Sequence, residues 1–202
     1  MRTFVILLLA VLPVLSKEIQ LFNGKDLTGW TFTSAEGADK AEASWSAKDG
    51  VLATAGKPIG FIRSEGSYEN YTITLEWRWL PGTENGNSGL LLHAGESNGK
   101  TWPASIESQL YQNNAGDIWM IDEKMEATGK NEGDRWHRVA DPKEKPIGEW
   151  NTMTVVCKAD TISIHVNGTL VNEGKNLSTT SGNICLQAEG APIEFRNIVL
   201  KK

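Results

Sequence analysis

Hydrophobic and polar residues alternate with a period of two over several short stretches, as in β-strands that bury one face. From Tyr71 to Trp79 every odd-numbered residue is aromatic or aliphatic, and every even-numbered residue is polar. Helical periodicity is nearly absent, and Asn167-Gly168 has the sequence of a two-residue hairpin turn. The pattern predicts an all-β sandwich of two antiparallel sheets. Further strands are predicted over 150–158, 161–166, 169–171, 182–188 and 193–200.

The segment 112–148 departs from this pattern. It is rich in charged residues, contains two prolines, and carries Trp119, Trp136 and His137. Long irregular segments in a compact β domain are usually either functional or disordered. The aromatic residues favour order, so the segment is predicted to form an ordered loop over one rim of the sandwich.

The N-terminal residues have the composition of a secretory signal. Arg2 precedes an uncharged apolar run over 4–15, and Val14 and Ser16 suit cleavage after Ser16. The run is too short to span a bilayer, which needs about 20 apolar residues. These features predict a signal peptide over 1–16, a single domain over 17–202, a periplasmic or secreted location, and no membrane insertion.

The composition argues against some classes of binding partner. The net charge of -5 and the isoelectric point near 5.3 argue against nucleic acid and anionic membranes. Eight Trp residues are many for a chain of 202, which suggests core packing, sugar-stacking platforms, or both. Strand alternation points Cys157 towards the core and Cys185 away from it, so two free thiols are predicted rather than a disulfide.

Several strands place polar side chains on the face away from the core. In the stretch 105–111, Ile106 and Leu110 point inward, so Glu107, Gln109 and Tyr111 point outward together. If the strands lie in one sheet, these acids, amides and imidazoles converge on one surface suited to sugar hydroxyls. The alternative is an ordinary solvated sheet face, which is also polar. By the same rule, the other outward residues include Asn87, His93, His165, Gln187 and Glu189.

Six short motifs follow one another in a distinctive order, namely Leu21–Trp30, Gly86–Gly89, Glu107–Gln109, Gly148–Asn151, His165–Gly168 and Glu194–Ile198. Their order and joint presence over about residues 21–200 resemble the 3-keto-disaccharide hydrolase family. One departure is His93, where the family often carries an arginine. The resemblance implies a concanavalin A-like jelly roll with its site on the concave sheet.

The resemblance implies a glycoside oxidised to a ketone at C3, which acidifies the C2 proton and permits elimination followed by hydration. That route needs a base, a proton donor for the leaving oxygen and stabilisation of the enolate. Glu107 or His165 is the candidate base, and Glu189 or His165 is the candidate acid. Arg78, on the non-core face of its strand, is a candidate for stabilising the enolate. The candidates for binding substrate also include Asn87, His93, Gln109, Tyr111 and Gln187.

A divalent metal ion is the one candidate cofactor, with Glu107, His165 and Glu189 as candidate ligands. The expected ligand is a carbohydrate. Because the substrate must first be oxidised, the chemistry also suggests functional pairing with a sugar oxidoreductase.

Two other functions fit parts of the sequence. A retaining glycosidase needs two carboxyls about 5–5.5 Å apart, but the strand beginning at Glu107 has Gln at the positions where further acids would lie. A non-catalytic carbohydrate-binding module suits the amide-rich face equally well. Turnover separates this module from an enzyme, because a binder leaves its ligand intact.

Overall fold

The computed structural model describes residues 17–202. The predicted signal segment, residues 1–16, lies outside the described residues. Over 17–202 the chain forms two antiparallel sheets packed face to face and one short helix, α1 (Ala38–Ala43). No helix in that range has the length and apolar character needed to cross a bilayer.

Both sheets mix strands from distant parts of the sequence. Within residues 17–202, sheet I has nine strands in the order β10 (Glu126–Ala127), β15 (Thr169–Lys175), β14 (Thr161–Val166), β13 (Asn151–Lys158), β6 (Tyr71–Trp79), β17 (Ile193–Lys201), β4 (Val51–Thr54) and β3 (Trp45–Lys48), with β1 (Glu18–Gln20) also paired to β17. Sheet II has eight strands over the same range, in the order β11 (Asn131–Glu132), β12 (Arg135–Trp136), β9 (Ile118–Ile121), β8 (Ser105–Gln109), β7 (Gly89–Ala94), β16 (Ser181–Ala188), β5 (Gly60–Glu69) and β2 (Trp30–Ser34).

The inner faces of the two sheets form the main core. In β6 buried and half-buried residues alternate along the strand, and Trp77 is fully buried. Burying a large apolar side chain stabilises the fold by about 1.5–3 kcal/mol. The predicted sandwich and the predicted hairpin turn are confirmed, since Asn167 and Gly168 have φ values of 49° and 80°. The architecture is the predicted concanavalin A-like jelly roll.

The segment 112–148 is ordered, but the prediction of a wholly irregular loop is wrong. It contributes three short strands to sheet II and one to sheet I, namely β9, β11, β12 and β10. These strands have two to four residues, too few for alternation to be recognised in the sequence. The segment therefore widens the sheet that carries Glu107.

Both cysteines are buried and unpaired in the described part of the chain, which confirms the prediction of free thiols. Cys157 belongs to the main core. Cys185 belongs to a second, smaller apolar cluster, described below.

Candidate functional site

The outer face of sheet II brings together most of the predicted polar residues. On β8, Glu107 and Gln109 alternate with Ile106 of the main core. Gly89 on the neighbouring strand lies opposite Gln109, and Gln187 follows on the strand after that. The structure therefore brings the side chains of Glu107, Gln109 and Gln187 together at one surface, beside Gly89 of β7.

Two carboxyls with raised pKa values lie at this face. Burial, and to a lesser extent the nearby charge of Glu189, raise the pKa of Glu107 to about 8, although a hydrogen bond with Gln187 partly offsets both. Burial alone raises the pKa of Glu189 to about 7. Because the two groups repel as anions, ionisation of one disfavours ionisation of the other. Such a pair suits general acid and base catalysis.

Three buried oxygen atoms at the site accept no hydrogen bond from any of residues 17–202. They are Glu107 Oε1, Gln187 Oε1 and Asn87 Oδ1. Gly89 lies beneath the first two, and a Cβ at that position would overlap both oxygens. Buried acceptors are normally satisfied, so this cluster is complementary to hydrogen-bond donors such as sugar hydroxyls.

A cavity of about 370 Å³ opens beside these oxygens. Gln109 lines it, and its Oε1 accepts from the N–H groups of Leu110 at 2.8 Å and Tyr111 at 2.7 Å, which leaves its Nε2 as a donor. The other lining residues are Asn87, Tyr111, Asn114, Trp119 and Arg135.

Trp119 and Arg135 were missed by the sequence reasoning. Trp119 is the cross-strand partner of Glu107, and Arg135 is in turn the partner of Trp119. The Arg135 guanidinium lies 5.7 Å from the Trp119 ring centroid. The segment 112–148 was recognised as a functional candidate, but its strands were too short for these side chains to be assigned to a face.

The buried carboxylate of Asp117 holds the part of the site that contains Arg135 in place. Asp117 is fully buried and accepts hydrogen bonds from Arg135 Nε at 2.8 Å and from the Arg138 backbone N–H at 2.8 Å. Arg135 Nη2 donates to the same carboxylate. The contacts hold β12 and the following loop against β9, so Arg135 is positioned at the cavity.

The prediction that His165 and Arg78 join this surface is wrong. Both lie on the outer face of sheet I, since His165 is on β14 and Arg78 is on β6. Arg78 Nε donates to Glu194 at 2.6 Å, and its guanidinium stacks 4.6 Å from the Trp150 ring centroid. Alternation shows which side chains face away from the core, but it does not show which of the two sheets carries them.

The prediction that His93 points outward is also wrong. A β-bulge shifts the register between β7 and β16, and His93 adopts a φ of 52°. Its ring therefore turns inward, 5.5 Å from the core ring of Tyr71, with Nδ1 3.2 Å from the Thr179 carbonyl oxygen. Burial lowers the pKa of His93, as expected for a neutral core imidazole. The next outward residue is Ala94.

The predicted metal ligands do not come together, because His165 is on the opposite sheet from Glu107. Within residues 17–202 no group of three or more His, Cys, Asp or Glu side chains is placed to hold a metal ion. The residues present therefore do not fit the predicted metal site.

Another cavity lies on the outer face of sheet I. It has about 700 Å³ and is lined by residues that include Lys158, Ser163, Glu173 and Lys175. No tryptophan lines it. We assign the candidate site to sheet II because the perturbed carboxyls and the unpaired oxygens are there.

The raised pKa of Glu107 predicts a pH dependence of stability. A carboxyl whose pKa is higher in the folded than in the unfolded state stabilises the fold at low pH and loses that contribution as pH rises. We expect the Glu107→Gln protein to gain stability relative to wild type by up to about 1.4 kcal/mol per pH unit between pH 5 and 8. Urea unfolding of both proteins at several pH values measures this difference. A difference that is flat with pH would contradict the raised pKa.

The fold places the chain in the class of jelly-roll proteins, which includes carbohydrate-binding modules and β-glucanases. The family model described as the 3-keto-alpha-glucoside-1,2-lyase-like domain matches residues 17–201, and the chain belongs to this family. The resemblance inferred from the motifs is thereby confirmed. No curated protein matches the chain.

Solved structures share the fold. A candidate glycosyl hydrolase from Parabacteroides distasonis is 24% identical, with 91% of this chain and 93% of that chain covered and a TM-score of 0.68. The carbohydrate-binding module CBM66 from Bacillus subtilis is 13% identical, with coverage of 87% and 96% and a TM-score of 0.63. A β-glucanase from Bacillus licheniformis is 13% identical, with coverage of 92% and 96% and a TM-score of 0.60. At these identities the similarity establishes the fold alone.

Proposed function

We propose that this chain cleaves 3-keto-glucosides by elimination across C1 and C2, followed by addition of water. The observation that carries the proposal is the pair of neighbouring carboxyls, Glu107 and Glu189, with pKa values raised to about 8 and about 7. The family description supports the substrate class.

The pair supplies both proton transfers. Glu189, with the lower pKa, is the base that takes the C2 proton, and Glu107, with the higher pKa, donates a proton to the leaving oxygen. The C1–O bond breaks as the C1–C2 double bond forms, giving an alcohol and an unsaturated keto sugar. Proton exchange between the carboxyls restores the starting state. These roles reverse those expected from the sequence, where Glu107 was a candidate base.

Neighbouring groups bind the sugar and stabilise the enolate. The Gln109 Nε2 donor and the Arg135 guanidinium line the cavity and replace Arg78 in the role of stabilising negative charge at the C3 oxygen. The free oxygens of Asn87 and Gln187 accept from sugar hydroxyls. Tyr111 and Trp119 bound the cavity, and Trp119 offers an aromatic face to the ring.

The test compares methyl 3-keto-glucoside with unoxidised methyl glucoside. We expect the purified protein to cleave only the keto compound, and to exchange its C2 hydrogen with deuterium from the solvent, both measured by NMR. Cleavage of both compounds would indicate an ordinary glycosidase. Binding of either compound without cleavage would indicate a carbohydrate-binding module, and either result would refute the proposal.

Two proposals concern the cellular setting. The substrate requires oxidation at C3, so a sugar oxidoreductase must supply it. The apolar run over 4–15 supports export to the periplasm or beyond. Cell fractionation of the tagged protein tests export, and recovery only in the cytoplasm would refute it.

A further inference from the structure

The outer face of sheet II also carries an apolar cluster that is separate from the main core. Phe61, Leu91, Ala94 and Cys185 are each at most 1% exposed, and Trp102 packs against them together with Ile121. Outer sheet faces are ordinarily polar, and four buried apolar side chains contribute nothing to the main core there. The cluster instead provides a base for Trp102, the larger of the two partly exposed side chains that cover it.

The Trp102 ring is held in place by several contacts. The loop 95–104 between β7 and β8 folds back over the sheet, and the Trp102 ring centroid lies 6.4 Å from that of Phe61, which is on β5. Arg63 donates from Nη2 to the Gly95 carbonyl oxygen at 2.6 Å, and Gly95 N–H donates to the Ala104 carbonyl at 2.9 Å. These bonds close the base of the loop. Trp102 remains partly exposed, so part of the ring faces solvent.

The apolar cluster lies directly beside the carboxyl pair of Glu107 and Glu189. Leu91 is the cross-strand partner of Glu107, and Cys185 is the partner of Leu91 on the next strand. On the other side of Glu107, the partner is Trp119, at the cavity lined by amides and Arg135. Glu107 therefore separates a polar half of the site from an apolar half.

We propose that Trp102 is the platform for the leaving group, and that the preferred substrates are 3-keto-glucosides of apolar alcohols. This inference rests on the proposed function. The polar half matches the keto sugar, which carries hydroxyls and a ketone. The apolar half offers an aromatic ring over buried apolar side chains, and the adjacent Arg63 guanidinium is already bonded to Gly95 and Asn183. Glu107, at the boundary, is placed to donate its proton to the oxygen between the two parts of the substrate.

The kinetic test uses two substrates whose leaving alcohols have similar acidity, methyl and 2-phenylethyl 3-keto-glucoside. Burying an aromatic side chain is worth about 1.5–3 kcal/mol, which corresponds to roughly tenfold or more in affinity. We expect wild type to prefer the phenylethyl compound by about tenfold in kcat/KM, mainly through KM. Trp102→Ala should remove that preference by lowering kcat/KM for the phenylethyl compound about tenfold more than for the methyl compound, and Trp102→Phe should restore most of the preference.

A control variant on the other sheet makes each outcome decisive. Leu170→Ala removes a side chain that is 39% exposed on sheet I and should leave the preference unchanged. Equal rates on the two substrates in wild type, or an equal loss on both in Trp102→Ala, would overturn the inference while turnover of the methyl compound upholds the proposed function.

Binding measurements cover the case in which neither compound is cleaved, which would refute the proposed function itself. Calorimetric titration of the Glu107→Gln protein with both ligands measures the preference without turnover. We expect tighter binding of the phenylethyl compound, lost in the double variant with Trp102→Ala. Equal affinities in the first protein would overturn the inference.

Discussion

Replacing Glu107 with glutamine is expected to lower kcat on methyl 3-keto-glucoside by a factor of about 10²–10⁴, the usual contribution of a general acid or base. The substitution keeps the size of a side chain that is 5% exposed but removes the transferable proton. Substrate affinity should change much less, because the amide retains an oxygen over Gly89. Initial rates followed by NMR and calorimetric binding measure the two effects separately.

The acidity of the leaving group distinguishes the two carboxyls. A 4-nitrophenol leaving group departs without a proton, so Glu107→Gln should retain most of its activity on 4-nitrophenyl 3-keto-glucoside, whereas Glu189→Gln should lose activity on both substrates. The matched control is Glu194→Gln, which removes a carboxylate paired with Arg78 on sheet I. If the control falls as far as Glu107→Gln, or if Glu107→Gln keeps its full rate on the methyl compound, the assignment of Glu107 as acid is refuted.

Substituting Asp117 with asparagine is expected to destabilise the protein by about 3 kcal/mol, the cost of breaking a buried ion pair from one side. The carboxylate is fully buried and holds both Arg135 and the backbone of Arg138. For a domain of this size the loss corresponds to a fall in Tm of roughly 6–12 °C. Calorimetry measures the fall, and KM for the keto sugar should rise because Arg135 loses its anchor.

Asp141→Asn is the control for this substitution. Its carboxylate pairs with Lys143, and both side chains are largely exposed to screening by solvent, so the change should leave the unfolding temperature nearly unchanged. If Asp117→Asn unfolds at the same temperature as this control, the proposed anchoring role is incorrect.

The sequence predicts the strands well because each buries one face. The strand over 71–79 was predicted with the bounds that the structure has, and the Asn167-Gly168 sequence favours the positive φ values that a two-residue hairpin turn requires. The sequence does not predict the position of a strand within a sheet. It depends on pairing between distant segments, which alternation in a single strand does not encode.

The same limit applies to the residues of the candidate site. Glu107 and Gln187 were correctly predicted to face the same surface, because their strands lie in sheet II. His165 obeys the same alternation in sheet I and so was wrongly included. His93 was misplaced for a local reason, since a bulge between Leu91 and Ala94 adds a residue and reverses the side-chain direction, which alternation alone does not reveal.

The strand order has a consequence for how the protein matures. β16, which leads directly to Glu189, is inserted between β7 and β5, strands from much earlier in the chain. Pairing across such separations is slow compared with local folding. A nascent polypeptide therefore keeps sheet II in two halves until β16 is inserted, and Glu107 and Glu189 come together only when almost the whole chain has been synthesised.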